Sequence, residues 1–135
     1  MKGIELVKIY RQADSSWLTG QITWSATDGA SMKLVVSDGS TYIEQADDLF
    51  ECLVEIRRET DPLGLRICCA GCKKDAYPSR MNREMGGGSK VQIRTLGRPT
   101  QREDQIGIFE AVNLSEVGTV EEQEAYYRIW LASLR

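Results

Sequence analysis

Histidine is absent from the 135 residues of this chain. The imidazole side chain is the commonest general base, the commonest metal ligand and the usual partner of a nucleophilic serine or cysteine. Its absence removes the most frequent arrangements of acid–base and nucleophilic catalysis. We therefore predict a protein that is not an enzyme, that uses no cofactor and that works by binding.

Long hydrophobic runs are missing as well. Residues Met1 to Lys8 alternate charged and apolar side chains, whereas a signal peptide needs an uninterrupted apolar core. We expect a cytoplasmic protein that does not associate with membranes. In that compartment the four cysteines need not form disulfides, and we expect them to be reduced.

Cysteine spacing offers one candidate metal or redox site. Cys69 and Cys72 have the Cys-x-x-Cys spacing, with Cys68 directly before them. A structural zinc normally needs four ligands from two such elements, and the one remaining thiol is Cys52. Cys68 and Cys69 would also point to opposite faces of a strand. The sequence therefore predicts no metal site, but buried cysteines that act as small hydrophobic residues and one loop thiol.

The composition is that of an ordinary globular protein, with 27% charged and 41% hydrophobic residues. The length and apolar content suffice for one hydrophobic core, so we predict a single domain that spans residues 1–135. Apolar residues recur at helical spacing from Asp47 to Thr60, with Asp47 or Asp48 as the N-cap. A capping box at Thr119 and Glu122 begins a terminal helix. Its predicted buried residues are Tyr127, Trp130, Leu131 and Leu134.

Strand-like segments account for most of the remaining chain. They are Gln21 to Ser25, Met32 to Ser37, Thr41 to Glu44, Leu65 to Ala70, Lys90 to Leu96 and Ile106 to Val112. Asp38-Gly39 predicts a hairpin turn, and Leu65 to Ala70 is apolar enough for a central strand. Ile4 to Tyr10 fits a strand or a short helix equally well. The pattern predicts an α+β fold, a mostly antiparallel sheet of about five to six strands covered by two main helices.

A long connection, Tyr77 to Lys90, joins two of these strands. Connections of this length are usually functional or disordered. Tyr77, Met81 and Met85 recur at helical spacing, so we expect them to anchor the connection to the core. Ser79 is placed to cap a short helix.

The same connection suggests an anion pocket, because consecutive glycines let backbone N–H groups converge on an anion. The residue order does not match a nucleotide-binding Walker loop, in which lysine precedes serine or threonine. The candidate anion-binding residues are Ser79, Arg80, Arg83, Gly86, Gly87, Gly88 and Lys90. A small-ligand-binding or enzymatic domain with this pocket is the alternative function.

Charge is distributed unevenly, although the net charge is only −3. Residues 73–102 include eight basic and two acidic side chains, whereas residues 103–127 include seven acidic and no basic ones. The basic run lacks the flanking aromatic pair of a stacking platform, so we predict no nucleic-acid binding.

Acidic side chains cluster on the two main helices. They are Asp48, Glu51, Glu55 and Glu59 on the first helix and Glu121, Glu122 and Glu124 on the second. Such faces are usually simply solvated. The sharper hypothesis is an electrostatic docking surface for a basic protein partner, since complementary charge steers association.

Several short motifs in the carboxy-terminal half carry a resemblance. Tyr77-Pro-Ser-Arg-Met and Met85-Gly-Gly-Gly-Ser-Lys are the most distinctive, together with Leu65-Arg-Ile-Cys-Cys-Ala-Gly and Trp130-Leu-Ala-Ser-Leu. Here the chain resembles small bacterial proteins that are similar to immunity partners of polymorphic or contact-dependent toxins. The resemblance implies a protein that neutralises a cognate toxin by direct binding, and no catalytic residue comes with it. The sequence leaves the oligomeric state open.

Overall fold

The computed structural model describes all residues, 1–135. Its main feature is a curled antiparallel sheet of five strands in the order β4-β3-β2-β1-β5. The strands are β1 (Lys2–Arg11), β2 (Ser16–Ser25), β3 (Ala30–Val36), β4 (Thr41–Ala46) and β5 (Leu65–Ile67). The first four strands form a meander, so each pairs with its neighbour in sequence.

One face of this sheet, the inner face, packs into the core. Because successive side chains of a strand point to opposite faces, alternate residues such as Val7, Ile9, Ile22 and Leu34 are buried there. Helix α1 (Leu49–Thr60) supplies much of the apolar surface that covers them. The Asp48 side chain accepts a hydrogen bond from the backbone N–H of Glu51 and so caps this helix, as predicted.

A second antiparallel sheet of three short strands lies later in the chain. It pairs β6 (Ala76–Tyr77), β7 (Lys90–Ile93) and β8 (Gln105–Gly107). Between β6 and β7 lies α2 (Arg80–Met85), and the chain ends with α3 (Val120–Ser133). Single turns of 3-10 helix occur at Asp61–Leu63, Ala70–Cys72, Arg102–Asp104 and Leu114–Glu116. The expected α+β class is therefore confirmed, with the strands divided between two sheets.

Two buried arginines connect these parts, and neither makes a salt bridge. Arg57 of α1 donates to the Gln123 side chain at 2.8 Å and to the Gly118 carbonyl at 2.9 Å, which joins α1 to α3. Arg94 donates to the Tyr77 carbonyl and lies 4.6 Å from the centre of the Trp130 ring. A buried guanidinium without a carboxylate depends on such carbonyl and aromatic contacts.

Local predictions from turn and capping residues are confirmed. Strands β3 and β4 flank Asp38-Gly39, and Gly39 has a φ of 94°, which the turn requires. Ser79 caps α2, and Thr119 and Glu122 form the capping box of α3. The open element at Ile4 to Tyr10 is a strand, paired with β2 along its whole length.

Other predictions are wrong. Strand β5 lies at the end of its sheet instead of the centre, and its continuation is covered by a loop in which Val112 donates to the Cys68 carbonyl. The strand expected at Ile106 to Val112 ends at Gly107. In α3 the buried residues are Val120, Gln123 and Trp130, while the predicted Leu131 and Leu134 are exposed and Tyr127 is half-buried.

Candidate binding surfaces

The Tyr77 to Lys90 connection packs its glycines against the first turn of α1. The backbone N–H of Leu49 donates to the Gly87 carbonyl, and a side chain at Gly88 would collide with Asp48. Gly87 and Gly88 both have a φ of 68°, which glycine adopts without strain. The glycines thus bring this loop to the carboxylate of Asp48.

Arg83 pairs with carboxylates of its own chain. Its Nε donates to Asp48 at 2.9 Å and its Nη2 donates to Glu51 at 3.0 Å, while the guanidinium lies over the Phe50 ring. Because the Arg83 guanidinium is partly buried and makes these charge-assisted hydrogen bonds, it belongs to the packing around α1. One of the predicted anion donors, Arg83, is therefore already neutralised.

The other residues of the predicted anion pocket do not converge. Arg80 is exposed and pairs with Glu84, the Ser79 hydroxyl accepts from the backbone of Asn82, and Lys90 makes no salt bridge. Gly86 faces Asn82, Gly87 faces Ala26 and Gly88 faces Asp48. Arg80 and Arg83 do line one cavity of about 620 Å³, but four carboxylates line it with them: Asp47, Asp48, Glu51 and Glu84.

Two methionines of the connection are exposed, contrary to expectation. Met81 is 71% exposed and Met85 is 83% exposed, so neither anchors α2 to the core. Tyr77 does anchor it, because its ring stacks on Tyr127 with 3.9 Å between the ring centres. Helical spacing alone could not show which side of so short a helix faces the core.

Most of the predicted acidic residues are paired within the chain. Asp48 and Glu51 bind Arg83, Glu55 and Glu124 both bind Arg58, and Glu122 lies 4.0 Å from Lys74. Glu121 is exposed, makes no salt bridge and lies in the first turn of α3. Internal pairing thus neutralises much of the negative surface that the sequence suggested.

An acidic pair that the sequence analysis missed lies between β4 and α1. The neighbouring side chain of Glu59, followed by burial and the charges of Glu59 and Glu55, raises the pKa of Glu44 above its ordinary value. Neither Glu44 nor Glu59 makes a salt bridge with a basic side chain. Glu55, which also lies near Glu44, differs from this pair because it has a basic partner, Arg58.

The cysteines are free and fully buried or nearly so, which includes Cys72, expected to be a loop thiol. Burial raises the pKa of Cys52 and of Cys68 to about 11, so these thiols stay protonated and unreactive at neutral pH. Cys69 and Cys72 contact each other with 3.6 Å between their sulfur atoms. No group of three or more metal-ligating side chains is present.

An uncovered surface that the sequence analysis did not identify is the outer face of the five-stranded sheet, opposite α1. Five large apolar side chains are exposed on its four long strands: Ile4, Leu6, Trp17, Val35 and Ile43. Leu6 is 80% exposed in the middle of β1. These five side chains are 39–80% exposed, so the sheet displays them to solvent.

Cross-strand pairing orders this outer face into rows. Ile4, Thr23, Lys33 and Ile43 form one row, and Leu6, Gln21, Val35 and Thr41 form the next. A groove of about 800 Å³ borders the Leu6 row and reaches Val112 and Glu116 beside β5. A second groove, of about 750 Å³, borders the Ile4 row.

Sequence reasoning missed this face because two patterns in β1 competed. Ile4, Val7 and Tyr10 fit a helix, whereas the alternation of Ile4, Leu6 and Tyr10 fits a strand. In the structure both Leu6 and Val7 belong to one strand and face opposite sides. The signal that was available is that both sets of alternate residues contain large apolar side chains.

Comparison with known proteins adds no family assignment. No protein-family model matches the chain, and neither does any curated protein sequence. None of the helices combines the length and the apolar character needed to cross a lipid bilayer.

Proposed function

We propose that this chain is a non-catalytic binding protein that holds another protein against the outer face of its five-stranded sheet. The observation that carries the proposal is the set of exposed apolar side chains on that face, with nothing of the chain covering them. Several large apolar side chains exposed on one face of a sheet, of which Ile4 and Leu6 are neighbours on β1, mark a candidate interaction site.

The dimensions of the outer face suit a protein partner. Five strands at the usual spacing extend about 20 Å across, and β1 and β2 are about 30 Å long. This is comparable to the area of about 800 Å² that one protein buries in a standard interface. Hydrogen bonds of the sheet hold the exposed side chains in place, so little conformational entropy is lost on binding.

The resemblance to immunity proteins suggests the kind of partner. On this proposal the chain acts in the cytoplasm and neutralises a cognate toxin domain by covering its active or substrate-binding surface. The protein would then act through the surface that it covers and the charge that it presents to the toxin, without turnover of a substrate.

A second candidate surface is the acidic pair of Glu44 and Glu59. The raised pKa of Glu44 reflects carboxyl groups held together without a cation, and a basic partner would relieve their repulsion. On this second proposal the partner is still the basic protein predicted from the sequence. Its binding site, however, is the pair of Glu44 on β4 and Glu59 on α1 instead of the seven acidic helix residues that the sequence predicted.

The experiment is co-expression with the product of the neighbouring gene, followed by size-exclusion chromatography and calorimetric titration. The Leu6→Thr/Ile43→Thr variant removes apolar area from the outer face and keeps residues that favour strands. Ile129→Thr is the matched control, because Ile129 is 57% exposed, close to the 63% of Ile43, but lies on α3. A Glu44→Gln/Glu59→Gln variant reports on the second candidate.

We expect wild type and the Ile129 variant to bind equally, and the outer-face variant to bind about tenfold or more weakly. Unfolding temperatures equal to that of the wild type would establish that the three variants remain folded. Full affinity of the outer-face variant would contradict the main proposal. If the Glu44/Glu59 variant alone loses affinity, the acidic pair is the contact surface.

A further inference from the structure

The charged side chains of the outer face are all basic. Lys2, Lys8 and Lys33 are exposed there and make no salt bridge, while Arg66 at the edge is paired with Asp61. No acidic residue points outward from the five strands. On a chain of net charge −3, this face is therefore locally positive.

The lysines lie around and within the apolar rows. Along β1 the outer-face residues are, in order, Lys2, Ile4, Leu6 and Lys8. One lysine therefore lies on each side of the apolar pair Ile4 and Leu6. Lys33 is on β3, directly opposite Ile43. Rows on one face of a strand are about 7 Å apart. The exposed aliphatic groups and the lysine ammonium groups are thus close enough to contact one partner surface together.

We infer that the outer face binds a protein surface with an apolar centre flanked by carboxylates. This inference rests on the proposed function for the choice of face, and it adds the chemistry of the partner. Aliphatic side chains would fill the two grooves beside the Ile4 and Leu6 rows. Carboxylates would pair with Lys2, Lys8 and Lys33, which sets orientation and association rate.

Three other occupants fit the face less well. A second copy of the chain in a symmetric contact would bring two sets of unpaired lysines together. A nucleic acid strand needs aromatic platforms, but Tyr10 and Trp17 pack edge to face on each other, 5.1 Å apart, at the end of the sheet. A lipid surface would bury Gln21, Thr23 and their neighbours without hydrogen-bond partners.

The test uses three synthetic amphipathic helical peptides with leucines along one side. In the first, glutamates flank the leucines; in the others, glutamines or lysines replace them. Binding to the isotope-labelled full chain is followed by amide chemical shifts. The protein variants are Lys8→Glu/Lys33→Glu and, as the matched control, Lys90→Glu, since Lys90 is an exposed, unpaired lysine on β7.

We expect the glutamate peptide to shift amides of β1, β2 and β3, and to bind about tenfold or more tightly than the other two peptides. The Lys8/Lys33 variant should lose the glutamate peptide and gain the lysine peptide, whereas the Lys90 variant should behave as wild type. Equal binding of the glutamate and glutamine peptides would overturn the inference.

Other outcomes separate this inference from the proposed function. Tighter binding of phosphatidylglycerol vesicles or oligothymidine to the same amides would overturn the inference, as would a dimer that the Leu6→Thr/Ile43→Thr variant abolishes. If the natural partner needs Leu6 and Ile43 but not the lysines, the inference fails and the proposed function stands. If the partner needs neither set, the proposed function fails as well.

Discussion

The two faces of the five-stranded sheet consist of alternate residues of the same strands, yet they have different environments. Leu34 on the inner face is fully buried under α1, while Val35, the next residue, is on the outer face and exposed. Antiparallel sheets commonly have one covered and one solvated face. Here the solvated face also displays large apolar groups, which shows that burial within the chain does not account for all of its hydrophobic residues.

Truncation of neighbouring residues is the most direct way to break this comparison. We expect Leu34→Ala to lower the free energy of unfolding by about 2–5 kcal/mol, because it leaves a cavity between β3 and α1. Val35→Ala should cost about 1 kcal/mol or less, because Val35 is 39% exposed and its truncation leaves no enclosed cavity, so that the lower strand preference of alanine accounts for much of the loss. Chemical denaturation of both variants measures the difference.

Equal losses at the two positions would contradict the comparison. They would mean that the outer face is covered in solution, for example by self-association, and analytical ultracentrifugation of the wild type would then detect the oligomer. A normal loss at Leu34 with none at Val35 would confirm that the outer face is not needed for stability.

Helix α1 contains a buried arginine, Arg57, directly before an exposed one, Arg58. These two residues provide a second comparison. Arg57 is 2% exposed, whereas Arg58 lies at the surface. We expect Arg57→Met to lower the free energy of unfolding by about 2–4 kcal/mol, because the Gly118 carbonyl and the Gln123 side chain lose their donor. Arg58→Met removes two surface salt bridges and should cost about 1 kcal/mol or less.

Thermal and chemical unfolding of the two methionine variants, measured together, test this pair. A neutral Arg57→Met substitution would show that the buried charge is itself costly, so that its removal offsets the lost hydrogen bonds. The contact between α1 and α3 would then depend on apolar packing, to which the buried Val120 of α3 belongs.

Elements with local determinants were predictable from the sequence. The Asp38-Gly39 turn, the Asp48 cap, the Ser79 cap and the Thr119 capping box all depend on residues within a few positions of one another. In each case one side chain or one backbone conformation suffices to fix the turn or helix start. Prediction succeeded where the physical cause is contained in a short segment.

Features with distant determinants were not predictable. Arg57 is buried because its acceptors, Gly118 and Gln123, are 61 and 66 residues away in sequence. Arg83 likewise pairs with Asp48 at a separation of 35 residues, which removes it from the predicted anion pocket. A charge run in sequence cannot show which of its members are already paired in the fold.

Glu44 lies at the edge of the inner face. Of the substitutions considered, we expect one at Glu44 to change stability the least. Its pKa is raised by the neighbouring side chain of Glu59, so between its ordinary value of 4.5 and the raised value the folded state binds more protons than the unfolded state. Stability from this group therefore falls as pH rises through that window. The charges of Glu59 and Glu55 disfavour the ionised form of Glu44.

We expect Glu44→Gln to raise the unfolding temperature slightly at neutral pH, since glutamine carries no charge. The gain should shrink as the pH falls through that window towards 4.5, because wild-type Glu44 becomes protonated in the folded state there. Glu103→Gln, which removes an exposed carboxylate that makes no salt bridge, is the control. A gain that is independent of pH would mean that glutamine improves packing, and that the carboxyl pair stores no repulsion for a basic partner to relieve.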